Sequence, residues 1–243
     1  MPTYRIDLAY DGTGFHGWGR QDNVRTVQGC FETALFHRTG EIKTAVAGRT
    51  DAGVHAAGQV ISFTVDEPLD VETLQRSLSR QLAPEIAVFA VSEVPDDFHA
   101  RFSATGRRYR YRIWNAPVHD PLSVRTTWHI PEPLDVPAME RVAASLVGTH
   151  DFASFCRTAT GRSTVRELRE AAWSRAGDVV ELSIAANAFF HKMVRSIVAT
   201  SVEVGRGRLN PEAAAELLAE RERTMGHGSA PSRGLTLISV EYQ

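Results

Sequence analysis

Hydrophobic and polar positions along the chain fall into two recurring patterns. In "TYRIDLAY", Tyr4, Ile6, Leu8 and Tyr10 alternate with Arg5, Asp7 and Ala9, the period of a half-buried strand. In "TVQGCFETALFHRTG", Val27, Phe31, Ala34 and Leu35 recur at helical spacing, with Thr26 where an N-cap belongs and Gly40 where a helix is expected to end. Strand patterns follow through "IKTAVA" and "QVISFTV", then a helix through "DVETLQRSLSRQL" with Leu74, Leu78 and Leu82, then a strand through "EIAVFAV".

That order, strand, helix, strand, strand, helix, strand, is the split βαβ arrangement of ferredoxin-like domains. The rest of the chain repeats it. Strand "RRYRYRIW" precedes a helix over "DVPAMERVAASLVG", strands "TVRELREAAW" and "DVVELSIAA", a helix "AFFHKMVRSIVATSVEV", a short helix from Pro211 and a last strand "LTLISVEY". The duplication predicts an α+β chain, mixed α/β in content, of two ferredoxin-like halves covering residues 1–104 and 105–243, with the boundary near Ser103 to Gly106. Two such sheets joined edge to edge would leave a long cleft across one face. The glycine-rich segments 11–21 and 225–234 are expected to be mobile loops.

Composition narrows the class. At 243 residues and 43% hydrophobic, the chain can bury a sizeable core. No stretch approaches about 18 consecutive apolar residues, and the amino terminus carries no charged segment followed by an apolar one, so a cytoplasmic location without membrane contact is expected. Cys30 and Cys156 fit no zinc spacing and read as reduced thiols. Nine histidines are scattered singly, and GxxxxGK[ST], HExxH and GxSxG are all missing, so neither a metal nor a nucleotide cofactor is expected.

A net charge of −2 argues against a polyanionic partner, but its distribution argues otherwise. Between Asp97 and Asp120 the chain has five arginines and no acid. On a strand, Arg108, Arg110 and Arg112 face one way and Tyr109, Tyr111 and Ile113 the other. Such a strand is either an ordinary amphipathic one or a basic ridge for phosphates beside an aromatic able to stack on an unpaired base. A helix over 188–204 would likewise gather His191, Lys192 and Arg195 on one side, which as a bare pattern is also a solvated face.

The stretch "AGRTDAGVHA" sets Asp51 among small and polar residues. Alone, an aspartate there forms a turn or a cap. Its company changes the reading. "YDGTGFHGW" precedes it, and "VPDDFHARFSATGRRYRY", "HDFASF", "ANAFFHKMVR" and "GLTL" follow in order over essentially the full chain. This set of motifs resembles the tRNA pseudouridine synthase A family. The resemblance implies the pseudouridine synthase fold, two ferredoxin-like (RRM-like) halves forming a continuous, mainly antiparallel sheet with a central active-site cleft.

It also implies roles. Asp51 would be the nucleophile, and Arg49 would help expel the target base or take its place in the stack. Tyr109 would stack on the uracil and assist proton removal from C5, Arg195 would pair with the carboxylate, and Leu235 would line the base pocket. Arg108, Arg110 and His55 join the substrate-binding candidates. An arginine partner makes physical sense, because burial beneath a base raises a carboxylate's pKa and a nearby guanidinium lowers it. The implied reaction isomerises uridine to pseudouridine in the anticodon stem-loop of tRNA without a cofactor, and the implied assembly is a homodimer. Asp51 attack at ribose C1′, addition at uracil C6 and a glycal route all stay open. Gly19 and Thr236 depart from the family's usual GWQRQ and GLYL, which touches the base pocket and tRNA contacts rather than the chemistry. Two rivals differ in class: a pair of RNA-binding modules that leaves Asp51 idle, and a glycosidase, which needs a second carboxylate that the motif lacks.

Overall fold

The computed structural model describes residues 1–156, 163–220 and 228–243. They fall into two compact units, Met1–Thr105 with Leu237–Gln243, and Gly106–Thr236.

The first unit runs β1 (Thr3–Tyr10), α1 (Val27–Thr39), β2 (Ala45–Val46), β3 (His55–Thr64), α2 (Val71–Leu82) and β4 (Ile86–Val94). β1 lies antiparallel between β3 and β4, and β2 pairs antiparallel with β3. This is the split βαβ order that the sequence pattern predicts. Thr26 caps α1 by accepting from the Gly29 N–H at 3.2 Å, and Gly40 closes it at φ +69°. Tyr4, Ile6 and Leu8 of β1, Phe31 and Leu35 of α1 and Leu78 of α2 are fully or almost fully buried. Each such side chain contributes roughly 1.5–3 kcal/mol. On the other face of β1, the Arg5 guanidinium is held by Asp7 at 2.7 Å and lies 4.8 Å from the ring centroid of Tyr242.

The predicted "IKTAVA" strand shrinks to the two residues of β2. Thr44 turns away to α1, where its amide and hydroxyl both bond to the Glu32 carboxylate, the hydroxyl at 2.7 Å. Residues 11–18, expected to be mobile, instead form a 3₁₀ turn at Gly12–Gly14 and bury Phe15 and Trp18.

The second unit begins along β5 (Ala104–Trp114), which is followed by β6 (Trp128–His129), α3 (Val136–Ser145), β7 (Gly148–Asp151), β8 (Val165–Ala176), β9 (Val179–Ala186), α4 (Met193–Gly205) and α5 (Ala213–Glu220). β9 pairs antiparallel with β5 and β8, β7 pairs antiparallel with β8, and the two-residue β6 runs parallel to β5. β6 and β7 are too short for the period-two pattern to reveal. Tyr111, Ile113, Leu182 and Ile184 face a core shared with Met139 and Val142 of α3 and Ile197 of α4, all fully buried. The last strand, β10 (Leu235–Tyr242), starts in this unit and continues into the first. Of the glycine-rich segment 225–234, residues 225–227 lie outside the described residues, and Ser232–Gly234 form a 3₁₀ turn. Both units are α+β with mainly antiparallel strands.

Candidate active site

Asp51 lies in the loop joining β2 to β3. The segment 11–18 packs on this loop through main-chain bonds: Trp18 N–H donates to Thr50 O at 3.0 Å, Gly53 N–H to Phe15 O at 3.2 Å, and Val54 N–H turns back to Asp51 O at 3.1 Å. Two glycines permit so close an approach. A Cβ on Gly12 would stand 2.1 Å from Val54 O, and Gly17 has φ +88° with its Cβ position 2.8 Å from Thr50 O. The "glycine-rich loop" of the sequence is therefore a fitted support for the aspartate.

Beneath the loop lies a chain of uncharged polar groups. The Tyr10 and Thr50 hydroxyls are 2.8 Å apart, and Gln59 Nε2 donates to the Tyr10 oxygen at 3.3 Å and to Gly48 O at 2.8 Å. Burial pushes the Tyr10 hydroxyl up to about 12, so it keeps its proton and its ability to donate. Residues 48 and 50 are thus pinned from below, whereas Arg49 is exposed and Asp51 half-buried. His55 is buried, and its Nδ1 accepts from the Gly12 N–H at 3.1 Å with Asp11 Oδ1 also 3.1 Å away. In this arrangement His55 braces the two segments against each other.

In the second unit, Tyr109 is buried in β5 and makes a T-shaped contact with Phe189, ring centroids 5.2 Å apart. Arg195, in α4, is tied to the chain ahead of β10: its Nε donates to Ala230 O at 2.6 Å, and Ala230 N–H returns to Arg195 O at 2.9 Å. Leu235 is buried at the start of β10. Tyr111 OH donates to Pro231 O at 2.8 Å, and burial raises its pKa well above the ordinary phenol value.

Arg108, Arg110 and Arg112 alternate with Tyr109 and Tyr111 along β5 and so lie on its other face. Two glutamates meet them there. Arg108 lies 2.7 Å from Glu170, and Glu181 is 2.7 Å from Arg112 and 3.7 Å from Arg110. The hydrogen bond from Arg108 holds the Glu170 carboxyl below its usual range, while burial pushes Arg110 below the usual guanidinium value. The basic ridge is a mixed-charge row. The polar helix face expected from His191, Lys192 and Arg195 does not form, because Lys192 has φ +64° and α4 begins only at Met193.

Sequence reasoning missed Gln59 and Tyr10. Tyr10 read as an ordinary core position, and the signal for Gln59 was a lone amide opening the otherwise apolar "QVISFTV". Among the described residues, no cluster of His, Cys, Asp and Glu could hold a metal ion, and no helix is long and apolar enough to cross a membrane.

A carboxylate on a rigid loop, carried by an α+β scaffold of mainly antiparallel strands, agrees with the comparison to known families. Residues 8–103 and 142–243 match the model of the tRNA pseudouridine synthase family, and the chain belongs to that family, isomerases that convert uridine to pseudouridine in tRNA. The matched segments contain Asp51, Arg195 and Leu235 but not Tyr109. Among full-length relatives, the chain is 46% identical to tRNA pseudouridine synthase A of Moorella thermoacetica over 100% of both chains. It is 45% identical to that of Frankia casuarinae over 98% of this chain and 88% of the relative, and 43% identical to that of an Enterobacter species over 99% and 91%.

Proposed function

We propose that this chain isomerises uridines in the anticodon stem-loop of tRNA, with Asp51 as its nucleophile and no cofactor. The observation that carries the reading is the pose of the GRTDAG loop: Gly48 and Thr50 are fixed by buried groups, and the carboxylate between them and β3 stays accessible. In the reaction the N1–C1′ bond breaks, uracil turns in its pocket, C5 bonds to C1′, the C5 proton leaves to a base, and N1 takes up a proton in its place. Atoms balance without an oxidant or a second substrate.

Each remaining residue has a stated task in this proposal. Arg195 takes the role of guanidinium partner to the nucleophile, since an opposing positive charge favours the charged form of an acid that burial beneath a base would disfavour. Tyr109 stacks on the extruded uracil and Arg49 fills the gap that it leaves, which offsets an unstacking cost of a few kcal/mol. Leu235 supplies apolar wall. The mixed-charge row makes Arg108 and Arg110 weaker phosphate ligands than their number suggests, and a buried His55 acts on substrate only through the loop. We further assign a homodimer in the cytoplasm, in which two copies combine local arginines into one groove despite a net charge of −2.

The test is to incubate purified protein, without added cofactor, with an unmodified tRNA transcript and map pseudouridine by carbodiimide-primed reverse-transcription stops, alongside Asp51→Ala. Stops confined to the anticodon arm and lost in the variant are expected, together with RNA binding that weakens steeply with salt. Equal RNA binding by both proteins with no stops in either would favour the rival binding-module reading.

A further inference from the structure

Arg49 and Asp51 belong to a loop, yet the proposed chemistry needs them in one fixed pose. The main chain holds the loop through Trp18 N–H to Thr50 O, Val54 N–H to Asp51 O and Gly53 N–H to Phe15 O, while the pairing of β2 with β3 stops short of Gly48. The side chains beneath add a second hold. Gln59 is fully buried on β3, its Oε1 accepts from the Val60 N–H at 3.2 Å, and both donor positions of its Nε2 are taken, by Gly48 O and by the Tyr10 hydroxyl. The amide orientation is thereby determined, because a flipped amide would face Gly48 O with a second acceptor.

The order of donors follows. Tyr10 accepts from Gln59, remains protonated, and has one proton to give, which goes to Thr50 Oγ1. Gln59, Tyr10 and Thr50 therefore form a directional chain, buried between 0% and 7% exposure, that anchors the loop at the residues on either side of Arg49. Neither Tyr10 nor Gln59 touches solvent enough to meet an RNA.

We infer that Tyr10 and Gln59 are positioning residues for this reaction: together they hold the main chain at residues 48 and 50 so that Arg49 and Asp51 reach the substrate in register. The inference rests on the assignment of Asp51 as nucleophile. Misplacing a reacting group by about 1 Å costs on the order of a hundredfold in rate. Removing one hydroxyl from a loop still held by Trp18 and the two glycines should shift it less.

The experiment compares Tyr10→Phe, Gln59→Leu, the double variant and Asp51→Asn in steady-state and single-turnover assays on a tRNA transcript, with RNA affinity measured separately and each protein assayed well below its melting temperature. Tyr10→Phe keeps the ring that packs on Trp18 and loses only the hydroxyl. Each single variant should lose about tenfold or more in single-turnover rate with RNA affinity and KM unchanged, and the double variant should lose little more than the worse single one, as expected of members of one chain. Rates equal to wild type in both singles, with Asp51→Asn inactive, would overturn the positioning role and leave the nucleophile standing. Multiplying losses in the double variant, or losses that follow only the melting temperature, would overturn it as well, because independent structural damage behaves that way. If Asp51→Asn retained full turnover, both assignments would fall.

Discussion

The two units use polar residues in opposite ways. In the first, the groups beneath the loop are uncharged, buried and fully committed: Tyr10, Thr50 and Gln59 bond to one another and to Gly48 O. In the second, Arg108, Arg110, Arg112, Glu170 and Glu181 are charged and partly exposed, and Glu181 is shared between two arginines. A buried neutral chain has few alternative partners, so it specifies a geometry. A half-solvated ionic row can trade partners with water and salt, so it specifies a charge pattern and little more.

The largest effect should come from breaking the support of the first unit. Gly12→Ala drives a methyl into the Val54 carbonyl, at an unrelaxed 2.1 Å, and overpacking against backbone should cost roughly 3 kcal/mol and remove turnover. Urea unfolding midpoints and the tRNA assay check both. A Gly12→Ala variant as stable as wild type would mean that the two segments separate readily.

A smaller effect should appear at alkaline pH. The folded-state pKa of Tyr10 is raised to about 12 against roughly 10 in an unfolded chain, so its contribution is complete below about pH 10. Between about pH 10 and 12 the unfolded chain gives up its proton first, and stability should fall by roughly 2–3 kcal/mol from this group. Tyr111, raised by burial in the second unit, adds a loss of the same sign. Urea midpoints at pH 9 and pH 11 should therefore differ more in wild type than in Tyr10→Phe, which retains the Tyr111 share alone.

The smallest effect belongs to the ionic row. Glu181→Gln leaves Arg110 and Arg112 with a neutral neighbour at a partly exposed site and should cost less than about 1 kcal/mol. A loss of several kcal/mol in the same urea titration would show that the row is as rigid as the chain beneath Asp51, and the contrast between the units would disappear.

What was legible in the sequence was local. The cap at Thr26, the stop at Gly40, the alternation through β1 and β5 and the leucines of α2 each depend on neighbours within a turn or a pleat, and each took the predicted form. The aspartate loop was legible for another reason, a long signature that no periodicity explains. Pairing across distance was not. Glu170 and Glu181 meet the arginines only through the register of β5, β9 and β8, which residue order does not display. The late start of α4 has a similar cause: apolar Phe189 and Phe190 fit the helical period, but their rings are engaged elsewhere, Phe189 in a T-shaped contact with Tyr109 and Phe190 by the Arg166 guanidinium 3.8 Å above it.

Residues 237–243 complete the first unit, where Tyr242 covers Arg5 and its hydroxyl bonds to Ala100 O at 2.7 Å. On the ribosome these residues emerge only after the whole of Gly106–Thr236 has been made. The unit begun first is therefore finished last, and during synthesis the strand that leads out of the aspartate loop waits with an unfilled edge, where Gly58 will later receive Ile238. Completing the units in the order of synthesis is closed to this chain, and the carboxylate loop becomes part of a completed unit only once translation has passed the second unit.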